Sequence, residues 1–274
     1  MSSAVHKTWN DAKSARASIP VAAVIPLPIA RNVPATAPLA KAKLGCTTCA
    51  MRKACVASEL GGAALLRFED HVHTKRRIRT GEHLYRAGDP ATSLYAVRSG
   101  FLMTSTVARD GREQVTAFHL LGDIVGIEMI GGGTQASDAV ALEDTEVCEL
   151  PLSSLEHLAA EIPQVRRTLY RLIGERFQSE RDAMLLLGSM RAEERVATFL
   201  LNLGRRYETR GFSGRRFILR MSRADIGSHL GLRLETVSRV FSRFQAEGLL
   251  HVDSRSVEIL DSEALSLVIG RSIN

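Results

Sequence analysis

Four turn-forming glycines, Gly88, Gly100, Gly111 and Gly122, fall 12, 11 and 11 residues apart. They cut residues 71–151 into short runs rich in β-forming side chains. The runs are His83–Tyr85, Leu94–Val97, Phe101–Val107, Glu113–Phe118 and Val147–Leu150. Turns at such regular spacing read as an antiparallel sandwich or jelly roll. Asp110-Gly111, between two alternating runs, is the clearest hairpin. At 45% hydrophobic and 24% charged, the 274-residue chain can bury a real core. Its length suits one large or two modest domains.

The period changes at Pro163, a residue suited to the first turn of a helix. From there to about Leu187 the pattern is helical, a rod of about 37 Å. Leu169, Ile173, Phe177, Met184 and Leu187 fall on one seam, and positions 173, 177, 180, 184 and 187 step as a heptad. A narrow seam on a single long helix points to a parallel homodimer; the competing reading packs the stripe on the chain's own β domain. One seam position is Glu180. Facing its mate across a two-fold axis, a carboxylate is repelled and desolvated, which suits a conditional dimer. Alternatively it reaches outward to Arg176 or Arg181.

The C-terminal third carries a different signature. Ala192–Leu203 is amphipathic, and Phe217–Met221 reads as a short strand. Ser222 with Asp225 three residues on is a capping-box start. Ile226 and Leu230 face inward, Gly231 supplies a tight turn, and a second helix begins near Leu234: a helix-turn-helix. On that second helix Val237, Val240, Phe241 and Phe244 form the buried face. Glu235, Ser238 and Arg239 share the opposite face, where Arg can fork to guanine, Glu can accept from cytosine and Ser can reach either. Leu249–Val252 and Val257–Leu260 read as a two-stranded wing. These features together point to double-stranded DNA.

Four cysteines are present, Cys46, Cys49, Cys55 and Cys148. No apolar stretch reaches 18 residues, and Pro20, Pro26, Pro28 and Pro34 interrupt the N-terminal segment, so neither a membrane span nor a secretory signal is expected. A cytoplasmic chain disfavours structural disulfides. Three thiols in a C-x2-C-x5-C run plus one on a strand make an all-thiolate set, suited to zinc or an iron–sulfur cluster. A metal-free redox dithiol stays open. The net charge of +6 divides into +5 over residues 1–43, −3 over 44–189 and +4 over 190–274. Residues 1–43, with five prolines and no apolar period, read as a disordered extension. The remainder divides into a cysteine loop plus β-roll (44–160), a dimerisation helix (161–188) and a winged helix-turn-helix (189–274). No phosphate-cradling glycine loop or nucleophile–base pair speaks for an enzyme. His71, His73 and His83 are expected on strand surfaces rather than as ligands.

This arrangement resembles the CRP/FNR family of regulators, and within it the fumarate-and-nitrate-reduction branch. The likeness spans residues 44–270. It is carried by Leu84–Asp89 (LYRAGD) with Ser93–Gly100 (SLYAVRSG), by Phe118–Gly126 (FHLLGDIVG), by Ala192–Arg195, by Arg205-Arg206 with Arg210–Ser213, and by Glu235–Arg239 (ETVSR). The resemblance implies an α+β chain: a cyclic-nucleotide-binding-like double-stranded β-helix sensor, a long dimerisation helix and a C-terminal winged helix-turn-helix. It implies that Cys46, Cys49, Cys55 and Cys148 ligate an oxygen-labile [4Fe–4S] cluster. It further implies that Glu235, Ser238 and Arg239 read TTGAT-type half-sites in a palindrome, and that Glu180 keeps the cluster-free protein monomeric. The Arg109–Arg112 hairpin is implied as a contact for RNA polymerase. The stretch Gly131–Ala139 lacks the arginine by which relatives hold a cyclic nucleotide phosphate, and Asp138 would repel it, so no cyclic nucleotide is expected.

Overall fold

The computed structural model describes residues 45–49, 52, 55–71, 74–108 and 110–270. The extension expected over residues 1–43, His73 and Arg109 lie outside them.

Two single-turn 3-10 segments, Cys46–Thr48 and Val56–Glu59, precede helix α1 (Gly62–His71). Strands β1 (Thr74–Ile78), β2 (His83–Tyr85), β3 (Ser93–Ser99), β4 (Phe101–Val107), β5 (Glu113–Leu120), β6 (Ile124–Val125), β7 (Asp138–Ala141) and β8 (Thr145–Pro151) follow. They form two four-stranded sheets, ordered β1-β8-β3-β6 and β2-β7-β4-β5, antiparallel throughout. This is the jelly roll that the glycine spacing predicts. Gly88, Gly100, Gly111 and Gly122 all sit at positive φ, where a side chain would clash with its own backbone.

Between the two sheets lie Ile78, Leu84, Tyr85, Tyr95, Val97, Leu102, Val125, Ala139, Ala141 and Val147. Because side chains alternate along a strand, the neighbouring positions Leu94, Ala96 and Leu150 turn to the outer face. There they meet Leu65 and Phe68 of α1, Leu155 and Leu158 of α2 (Leu152–Glu161), and Val165 at the start of α3 (Pro163–Ser189). A third core is shared by two units. Phe101, Met103, Val115, Phe118 and Leu120 of β4 and β5 pack with Val196, Phe199, Leu200 and Leu203 of α4 (Ala192–Glu208) and with the helices beyond it.

After α4 the chain forms β9 (Arg216–Ile218), α5 (Arg223–Leu230), α6 (Leu234–Ala246), β10 (Leu250–Asp253), β11 (Ser256–Ile259) and α7 (Ser262–Gly270). The small sheet runs β10-β11-β9. Three helices, α1, α2 and α7, were not anticipated from the sequence. His71, expected on a strand, ends α1; its ring Nδ1 lies 2.7 Å from the Arg67 carbonyl oxygen.

Candidate functional site

Local chemistry sets the reading unit. The Ser222 hydroxyl accepts from the Asp225 backbone N–H at 3.1 Å, and the Asp225 carboxylate accepts from the Ser222 N–H at 2.7 Å. This reciprocal cap starts α5. Gly231 ends it at φ 62° and ψ 37°, a left-handed corner that sends the chain into α6. Val237, Val240, Phe241 and Phe244 are buried beneath α6. Glu235, Ser238 and Arg239 stand exposed on its far side. The Arg239 guanidinium lies along its own helix, 3.4 Å from the Glu235 carbonyl and 3.5 Å from the Thr236 hydroxyl. Among the described residues it has no ion pair. Arg223 lies over the Phe241 ring, 3.5 Å from its centroid. Burial draws its pKa down to about 10, so it keeps its charge at neutral pH.

The seam helix presents the opposite problem, apolar side chains without cover. Leu169 is half-buried against the outer core of the roll. Further along, Ile173 is 40%, Phe177 75%, Met184 71% and Leu187 39% exposed. Glu180, also exposed, pairs with Arg176 one turn back at 2.6 Å. The Arg176 alternative for the Glu180 carboxylate is therefore the one seen within the protomer.

The reader is fastened to the end of α3 and to the roll by side chains from both sides of the join. Arg195 donates from Nε to the Met190 carbonyl, from Nη1 to Leu230 and from Nη2 to Leu187, all at 2.8–2.9 Å. One side chain thus ties the end of α3 to the turn of the helix-turn-helix. Arg206 and Arg210 of α4 and its following turn both reach Asp123 of the roll at 2.5 Å. They also donate to the carbonyls of Phe118 and Leu121. Ser228 caps the outermost strand β5: its hydroxyl accepts from Val115 N–H at 2.9 Å and donates to the Glu113 carbonyl at 3.1 Å. Reasoning from sequence quoted Arg206 and Arg210 only for their likeness and did not reach Asp123, Arg195 or Ser228 as fasteners.

Cys46, Cys55 and Cys148 converge on the rim of the outer core. Cys148 sits on β8 opposite Lys75 and Ala96, on the same strand face as Leu150. Burial pushes the Cys46 thiol up to about 12, and the neighbouring Cys55, Cys148, Glu69 and Cys49 add to the rise. Burial likewise raises Cys148 to about 11, with Cys55 and Cys49 again contributing. All four thiols therefore lie within electrostatic reach of one another. Among the described residues, no three of His, Cys, Asp and Glu lie close enough together to hold a single metal ion. No helix among them is long and apolar enough to cross a membrane.

Residues 75–161 match the sequence profile of the cyclic nucleotide-binding domain, and residues 194–268 that of the Crp-like helix-turn-helix domain. The chain is 41% identical over 229 residues to the fumarate and nitrate reduction regulatory proteins of Salmonella typhimurium and Escherichia coli K12. The match covers 84% of this chain and 92% of each relative. The chain belongs to the CRP/FNR family. The solved structure of FixK2 from Bradyrhizobium japonicum superposes with a TM-score of 0.66 at 38% identity, covering 71% of this regulator and 96% of FixK2. The regulator is thus an FNR-like DNA-binding transcription factor: a jelly roll, connecting helices and a C-terminal helix-turn-helix.

Proposed function

We propose that this regulator is oxygen-responsive, with Cys46, Cys49, Cys55 and Cys148 holding a [4Fe–4S] cluster that promotes homodimerisation on palindromic TTGAT-type sites. One observation carries the reading. Cys46, Cys55 and Cys148 pack on the same hydrophobic core as Leu169 and Leu172 of α3, so the thiols and the seam helix are mechanically joined. A set of four thiols, each close enough to raise the pKa of its neighbours, fits a cluster that offers a separate iron to each thiolate. When bound, the cluster supplies the cationic charge that keeps those thiols deprotonated and the differential free energy that favours one state of α3.

The chain's own residues do the rest. Leu169, Ile173, Phe177, Met184 and Leu187 form the dimer seam, and Glu180, exposed and paired with Arg176 one turn back, must lose water for the seam to close and so opposes it. Arg195 transmits the set of α3 to the reader turn. Two readers held together then bind two half-sites through Glu235, Ser238 and Arg239. In this reading the protein acts in the cytoplasm by binding and not by catalysis, and it meets RNA polymerase through the Arg109–Arg112 hairpin. No cyclic nucleotide is involved. The Asp138 carboxylate already accepts from the Ala87 N–H at 2.7 Å, and Gly131–Ala139 has no arginine.

Anaerobic reconstitution with iron and sulfide, followed by visible absorption and sedimentation before and after air, tests the proposal. A brown dimer that bleaches to a monomer supports it. A colourless protein with tight zinc, or an intact Cys–Cys pair and no iron, would instead establish the zinc-stabilised or thiol-redox reading.

A further inference from the structure

We propose that Glu69 is the positioning residue for the first pair of thiols, holding the Cys46–Cys49 turn against α1. Its carboxylate accepts from the Thr47 backbone N–H at 3.1 Å. Thr47 lies inside the short 3-10 turn Cys46–Thr48, whose weak closing bonds run from Thr48 N–H to the Gly45 carbonyl at 3.3 Å and from Cys49 N–H to the Cys46 carbonyl at 3.4 Å. A three-residue turn with no side-chain cap and no buried residue has little to hold it in place. Glu69 is anchored, because Leu65 and Phe68 beside it on α1 are buried in the outer core. Gly45 is the complementary half of the contact. A Cβ there would fall directly onto the Glu69 carboxylate, so a side chain at residue 45 would make the Glu69 carboxylate swing away from its bond to Thr47.

The choice of an acid here is costly. A carboxylate next to thiols that must become thiolates repels them, and among the described residues Glu69 forms no ion pair. What it supplies is one charge-assisted N–H bond that joins the thiol turn to a helix seated on the same core as α3. The geometry stands by itself; its consequence for assembly rests on the cluster-dependent reading above.

Two variants disturb the contact from opposite sides: Glu69→Ala removes the acceptor and Gly45→Ala displaces it. Glu69→Gln retains a carbonyl acceptor without the charge. Hydrogen–deuterium exchange on the full-length cluster-free protein reads the Thr47 amide. It should exchange about tenfold faster in Glu69→Ala and Gly45→Ala, and within about threefold of the parent in Glu69→Gln. After anaerobic reconstitution, the first two should show weaker visible absorption and faster bleaching in air, and Glu69→Gln should restore both. Unchanged exchange in Glu69→Ala and Gly45→Ala overturns the assignment, as does a Glu69→Gln protein that behaves like Glu69→Ala. If exchange responds as expected while the parent protein takes up no cluster, the positioning role stands and the cluster reading falls.

Discussion

Arg239 is exposed, and its guanidinium bonds only to polar atoms of its own helix. A guanidinium held that loosely loses little on turning to a guanine edge. Arg239→Ala should cost about 1–3 kcal/mol of discrimination between specific and mismatched sites, measured by competition binding at fixed salt. An unchanged specificity ratio would remove Arg239 from the reading face. His119 makes a second residue-level prediction. It is buried within bonding distance of the Thr104 hydroxyl, 3.1 Å. Burial is the main cause of a pKa near 4; Asp123 opposes the shift, while Arg206 and Arg176 add to it. An unfolded imidazole takes its proton near pH 6.5, so between pH 6.5 and 4 the unfolded state binds more protons. Stability therefore falls as pH drops through that window, by up to about 1.4 kcal/mol per pH unit from this group. Urea denaturation at pH 7 and pH 5 should show a smaller loss in His119→Gln than in the parent; equal losses would exonerate His119. The Ser222–Asp225 cap and Gly231 were legible in the sequence because each signal is complete within four residues. Asp123 with Arg206 and Arg210 was not, because those partners are 83 and 87 residues apart and only the topology brings them together.

Helix α3 was legible as an element because its apolar stripe persists through four turns on one side. The ten-residue helices α1 and α2 were not. Each buries only two side chains, too few for a period to declare itself. Strand β1, read TKRRI, hid for a related reason. It lies at a sheet edge, with Ile78 as its single buried residue among those whose exposure is described. The same exposure that made α3 conspicuous makes a prediction. Glu180→Leu should tighten the cluster-free dimer at least about tenfold, since it replaces a seam charge with an apolar side chain. Sedimentation equilibrium in air would show this, and a variant that stays monomeric would show that Glu180 is not the brake. Arg195 works at the same scale, joining the end of one helix to the turn between two others. Lysine cannot fork to three carbonyls. Arg195→Lys should lower stability by about 2 kcal/mol in urea denaturation; no change would show that the three bonds are incidental.

On the scale of the whole molecule, the roll and the DNA-binding unit are not beads on a string. They share a core through β4, β5 and α4, and Asp123 anchors two arginines across the join. Asp123→Asn should cost about 2–3 kcal/mol, because it leaves the half-buried Arg210 without its counter-charge. A single broad unfolding transition that does not move in this variant would argue against the clamp. The attachment through Ser228 has one more effect. Strand β5 is the outermost of its sheet, and its peptide groups at Glu113 and Val115 are occupied by that serine. Should the reader swing away, or be removed by cleavage, those groups would become a template for another chain's strand. The DNA-binding unit thus doubles as the guard on the roll's open edge, and a fragment ending near residue 190 is one to expect in aggregates.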